Sequence, residues 1–186
     1  MAKMQGSVEA TIGISHGFFE IWSRGLTEPP RFFFSDPSML HCVDNAVALT
    51  SKLTSGQHST IRLEAWDAEP SEPQGVWGDR AEEEVLLTSA TVELFGVTAG
   101  HPSSDPLELG LPGYYQVRAF RTRSHKVASG DDSIQDAERF LVQFWPSRRP
   151  TAAVEQEPTE AADLHSQITQ WARQRDSSIG PGPGLQ

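Results

Sequence analysis

The chain has 186 residues, 37% of them hydrophobic, and a formal net charge of −10. That length allows one sizeable core plus a tail, and the acidity disfavours direct nucleic-acid binding, which calls for a basic face. One cysteine, Cys42, excludes both a disulfide framework and a cysteine-based zinc site within the chain.

Residues 1–7 lack the apolar run of a signal peptide. No stretch approaches the roughly 18 apolar residues of a membrane span, so a cytoplasmic location is expected, with no membrane partner. Residues 8–14 alternate, with Val8, Ala10, Ile12 and Ile14 on one face, which reads as a half-buried strand. His16-Gly17 breaks it, and residues 18–22 resume as the same strand or its hairpin partner. Residues 23–30 read as a loop. Three successive phenylalanines, Phe32, Phe33 and Phe34, cannot all face one side, so some pack under a loop or contact a partner. Asp36-Pro37 has the chemistry to cap a short helical turn over residues 38–43.

Residues 45–53 read as a strand. Residues 60–67 alternate, with Ile61, Leu63 and Ala65 opposed to Arg62, Glu64 and Trp66. Residues 51–67 thus form a hairpin candidate. Pro and Gly mark a loop over residues 69–75. Helix and strand compete over residues 77–88. The run Val85-Leu86-Leu87-Thr88 leads into Thr91-Val92-Glu93-Leu94-Phe95 and favours strands, with a bend at Ser89-Ala90. Leu107 and Leu109 begin a short strand. The turn Leu111-Pro112-Gly113 then opens a run of aromatic and β-branched residues over 114–120, and residues 139–145 form another. These two read as long antiparallel strands joined by the polar loop 124–136.

After Pro146 the character changes. Leu164, Ile168 and Trp171 form one apolar stripe on a helix of about four turns, and residues 177–186 have a disordered composition. The expected architecture is mostly β: an antiparallel β-sandwich of about seven to nine strands. Residues 1–148 would form this domain, residues 149–176 a linker and amphipathic helix, and residues 177–186 a disordered tail.

From Glu64 to Glu93 there are nine acids against one base, Arg80. Clustered carboxylates can dock on a cationic cleft and steer association, or can simply be a solvated edge. The candidate partner-binding residues are therefore Asp67, Glu69, Glu72, Asp79, Glu82, Glu83 and Glu84. Trp66 joins them as an aromatic anchor, because alternation turns it away from Ile61 and Leu63. Arg118, Arg121, Arg123 and Lys126 either bind an anion, neutralise these acids or lie on the solvent face of an antiparallel strand. The six histidines show no metal-ligand spacing, and no nucleophile elbow or phosphate loop is present. Cys42 follows His41, but adjacent side chains point apart, so a buried thiol is the better reading. No cofactor, metal or catalytic residue is expected.

The order of pieces resembles the competence protein J family, small inhibitors of a bacterial DNA-entry nuclease. The resemblance rests on Ile12-Gly13-Ile14-Ser15-His16-Gly17-Phe18-Phe19-Glu20-Ile21-Trp22 and on Asp44-Asn45-Ala46-Val47-Ala48-Leu49 leading to Ser59-Thr60-Ile61-Arg62-Leu63. It continues in Leu107-Glu108-Leu109-Gly110-Leu111-Pro112-Gly113-Tyr114-Tyr115-Gln116-Val117 and Arg139-Phe140-Leu141-Val142-Gln143-Phe144-Trp145. It covers residues 8–146 and implies a small β-sandwich that binds a nuclease or similar effector. The chain departs from the family in longer segments at residues 69–80 and 124–136 and in the tail. The functional expectation is an acidic, non-enzymatic binding protein, an inhibitor or immunity-type protein for a basic nuclease or toxin. The alternative is a sandwich that binds or senses a small ligand.

Overall fold

The computed structural model describes residues 1–34, 37–53, 57–99, 101–122 and 138–149. Ten strands form two five-stranded sheets. The first sheet contains β1 (Met4–Gly13), β5 (His58–Trp66), β10 (Glu138–Pro146), β9 (Gly113–Arg121) and β6 (Asp79–Leu87), in that spatial order. The second contains β3 (Leu40–Val43), β4 (Ala46–Thr50), β2 (Phe18–Ser23), β7 (Thr91–Gly96) and β8 (Leu107–Glu108).

Period-two patterning drives this layering. Ile61, Leu63 and Ala65 of β5, Phe140, Val142 and Phe144 of β10, and Val117 and Ala119 of β9 are inward and buried. They meet Phe19, Ile21, Val47, Leu49, Val92 and Leu94 from the second sheet. Phe19 and Phe140 pack edge-on across the interface at 4.9 Å. The Tyr115 hydroxyl donates to the carbonyls of Leu109 and Leu111, at 3.1 and 2.5 Å, pinning the turn that opens β9.

The sandwich and the antiparallel pairing of β9 with β10 agree with the sequence reading. Other expectations are corrected. The sheets are not wholly antiparallel: β10 pairs with β5 in parallel, Glu138 facing Ser59. Among the described residues there are ten strands, against an expected seven to nine. Residues 18–22 neither continue β1 nor form its sheet partner. The chain crosses between sheets at His16 and Gly17, where φ is 58° and 76°. Residues 51–67 are no hairpin, because β4 and β5 belong to different sheets. Strand β3 replaces the helical turn, since pairing of Leu40 with Leu49 and Val43 with Ala46 satisfies its backbone. The two runs either side of Ser89-Ala90 are strands, but β6 and β7 also lie in different sheets. No helix occurs among the described residues; the helix expected within 149–176 and the tail over 177–186 fall outside them, except for Arg149.

Candidate partner-binding surface

Strand β6, which carries four of the candidate acids, is an edge strand paired only with β9. Alternation divides its acids between two faces. Val85 and Leu87 are inward, so Asp79, Ala81 and Glu83 share that face, while Arg80, Glu82 and Glu84 point outward. The triplet Glu82-Glu83-Glu84 is therefore not one patch. Glu83 accepts the backbone N–H of Cys42 on β3 at 3.1 Å and acts as a strut between the sheets. Burial, and then the Glu83 carboxylate, push the Cys42 thiol far above its ordinary range.

Asp79 sits at the open end of the sandwich, opposite Arg121 in register. It accepts from Arg121 at 2.8 and 3.0 Å and from the Lys52 ammonium at 2.9 Å. The Lys52 hydrogen bond, with that of Arg121, holds its carboxyl below the usual carboxylate range. Arg121 also donates to the Thr50 carbonyl at 2.6 Å. Beside it, the fully buried Glu138 accepts from the Ser51 hydroxyl at 2.6 Å and the Lys52 backbone N–H at 3.2 Å.

Arg118 organises the outward face. Its side chain is 3% exposed, and its guanidinium donates to Glu82 at 2.7 Å, Glu69 at 2.6 Å and the Pro70 carbonyl at 3.2 Å. It lies 4.6 Å over the Trp145 ring. Burial alone depresses the guanidinium pKa, and the hydrogen bonds to Glu82 and Glu69 outweigh it, leaving it raised. These contacts draw the connection between β5 and β6 across the sheet, and Trp77 packs on Phe120 at 5.6 Å. Glu84 accepts from Ser147 at 2.5 Å, Gln116 at 3.1 Å and Arg149 at 3.2 Å. The Ser147 bond leads in holding its carboxyl below the usual range, with burial opposing.

Seven of the nine acids between Glu64 and Glu93 have a cation within 4.0 Å. The bases involved are Arg24, Lys52, Arg62, Arg80, Arg118, Arg121 and Arg149. Nine acids against seven bases leave a local net charge of only −2, so a bare anionic face is not what the fold presents. Trp66 is half-buried, and its indole N–H donates to Glu64 at 3.0 Å, a carboxylate that also takes Arg62 and Gln143. Three acids reach well into solvent: Asp67, which accepts the Lys3 backbone N–H at 2.7 Å, and Glu69 and Glu72, with side chains 62% and 72% exposed. Asp67, Glu69 and Glu82 rim a groove of about 480 Å³ that Gln116, Trp145, Ser147 and Arg148 also line.

The candidate residues thus separate. Asp67, Glu69 and Glu82 converge on the groove. Glu72 lies beyond it on Arg80, Glu84 is occupied by Ser147 and Arg149, and Asp79 and Glu83 belong to the inter-sheet contacts. Neutralisation of the acids by Arg118 and Arg121, one of the readings of those bases, is what the structure shows. Sequence reasoning missed that Arg118 is buried and anchors the connection, and missed Trp145 as part of the groove wall. The signal for Arg118 was its pairing register with Glu82, which no local pattern encodes.

No family model and no curated protein matches the sequence. Among solved structures the chain is similar to ComJ from Bacillus subtilis, described as an inhibitor of the DNA-degrading activity of NucA. The identity is 16% and the TM-score 0.50, over 79% of this chain and 99% of that one. It is also similar to crocagin biosynthetic gene J, with 12% identity and a TM-score of 0.53, over 80% of this chain and 99% of the other. At such identities the likeness is one of fold, and the chain has a ComJ-like fold.

Proposed function

We propose, proceeding from a fold shared with a nuclease inhibitor, that this chain is an acidic protein that acts by binding rather than catalysis. In this reading it is an inhibitor or immunity-type partner of a basic nuclease or toxin, met in the cytoplasm. The observation that carries it is the exposed carboxylate rim of Asp67, Glu69 and Glu72, two of the three beside a groove, on a connection that buried Arg118 holds in place. A pre-positioned acidic rim engages a cationic cleft without first ordering a loop. ComJ, described as a nuclease inhibitor, supports the choice of partner class. The test uses a nuclease encoded beside this gene, with DNA degradation as the readout. Addition of the protein should suppress degradation, and D67N/E69Q/E72Q should weaken suppression by about tenfold or more at low salt and less at high salt. A triple variant as effective as the parent sinks this reading of the surface.

The alternative is a small-ligand or sensing role. The groove volume of about 480 Å³ favours it, since ligand sites fall at roughly 300–1,000 Å³.

A further inference from the structure

The outward face of the second sheet carries a different arrangement. Glu20 on β2 lies opposite Ala48 on β4 and Phe95 on β7. Two residues on, Trp22 stacks its indole on Phe95 at 4.2 Å and an interplanar angle of 23°. Phe34, from the connection between β2 and β3, tilts on Phe18 at 5.0 Å and meets His41 of β3 edge-on at 4.9 Å. In the cross-strand row His41–Ala48–Glu20–Phe95, the carboxylate therefore stands between two aromatic groups. His41 is buried, but the other rings reach the surface: Phe34 is 44% and Phe33 82% exposed, while Phe18, Trp22 and Phe95 are half-buried.

Glu20 differs from most acids of the first sheet. Among the described residues its Oε2 accepts only the neutral Trp22 indole N–H, at 2.7 Å, and no cation lies within 4.0 Å of it. Burial pushes its carboxyl up, and the Trp22 bond only partly opposes this. A half-desolvated carboxylate framed by aromatic faces is complementary to a planar cation, which pairs with the oxygens and stacks on the rings. Guanidinium fits that description better than a compact, strongly hydrated ammonium.

We propose that this face is a second docking surface, for a segment of a protein partner that presents an arginine flanked by apolar side chains. The guanidinium meets Glu20 and stacks against the Trp22–Phe95 pair, and the apolar flanks cover Phe33 and Phe34. The proposal rests on the reading of the chain as a binder of a basic protein and adds a contact on the opposite sheet.

The test titrates the full chain with the capped peptide acetyl-Leu-Arg-Leu-amide and with its citrulline isostere, which keeps the shape and removes the charge. The readout is the indole N–H signals in ¹⁵N–¹H spectra, with Trp22 and Trp145 assigned from W22F and W145F. The arginine peptide should move the Trp22 signal and bind about tenfold tighter than the citrulline peptide. Glu20→Gln should bring the two peptides level. Phe33→Ala, at a position too exposed to affect folding, should weaken the arginine peptide and covers the case in which Glu20→Gln unfolds. An unmoved Trp22 signal, or equal binding of both peptides, overturns the proposal. Movement of Trp145 alone also overturns it and leaves the groove on the first sheet standing. A Trp22 response that survives in D67N/E69Q/E72Q upholds it even where that triple variant has lost nuclease suppression. Self-association of the chain alone, abolished by Phe33→Ala, overturns it in favour of a second copy.

Discussion

Arg118 keeps a full positive charge at 3% side-chain exposure because Glu82, Glu69 and the Pro70 carbonyl accept its donors and Trp145 covers one face of its guanidinium. Replacing it with Met preserves much of the packing and removes the charge. Both carboxylates can rehydrate, being 29% and 62% exposed. The expected loss is about 2–3 kcal/mol, below the roughly 3–5 kcal/mol found when a partner is left buried and unpaired. Urea unfolding measures it, and limited proteolysis should show earlier cleavage within residues 68–78. An unchanged midpoint together with an unchanged cleavage pattern would mean that Arg118 only fills space. Both Arg118 and Glu82 are plain in the sequence, yet 36 positions separate them. Their meeting depends on strand register, and that is why a run of acids looked like a free anionic patch.

At the scale of elements, the turn between β1 and β2 carries the chain from one sheet to the other. Gly17 has φ of 76°, and an added Cβ would come no closer than 3.8 Å to the Ser51 carbonyl. Gly17→Ala therefore meets a backbone penalty without a clash, and thermal or urea unfolding should register about 1 kcal/mol of destabilisation. A neutral result would show that the turn relaxes to negative φ. The strands themselves were legible. Residues 8–14, 60–67 and 139–145 alternate or concentrate β-formers, and period two marks their inward faces. Beyond the β9–β10 pairing, sheet membership was not legible, because alternation states which side of a strand is buried and not which neighbour it pairs with. The same limit explains the false hairpin over 51–67. The turn expected at 38–43 rested on a local cap that the β3–β4 ladder overrides.

Across the whole molecule, the polar clasp of Asp79, Arg121, Lys52 and Glu138 ties the open ends of the two sheets together. The folded-state pKa of Asp79 is depressed from 3.8. Its contribution is therefore fully present above that unfolded value and is lost as pH falls through the lower folded one. Asp79→Asn should cost about 1 kcal/mol near neutral pH, a modest figure because the carboxylate is partly solvated. That difference from the parent should shrink as the pH falls below about 5, through the unfolded value of 3.8 and then the lower folded one. Parallel acid limbs for the two proteins would remove the clasp from the stability of the fold.

The last described strand, β10, lies in the middle of the first sheet, between β5 and β9. Its Gln143 bonds to Glu64, 79 positions earlier. On a ribosome, β1 and β5 emerge long before the strand that joins them to β9 and β6. Closure of so long a loop precedes the contacts that reward it, so the sandwich completes only after residue 146 has left the exit tunnel. Until then the backbone edges of β5 and β9 that β10 joins stand unpaired, and a chain cut short before β10 is matter for chaperones and proteases rather than a smaller working domain.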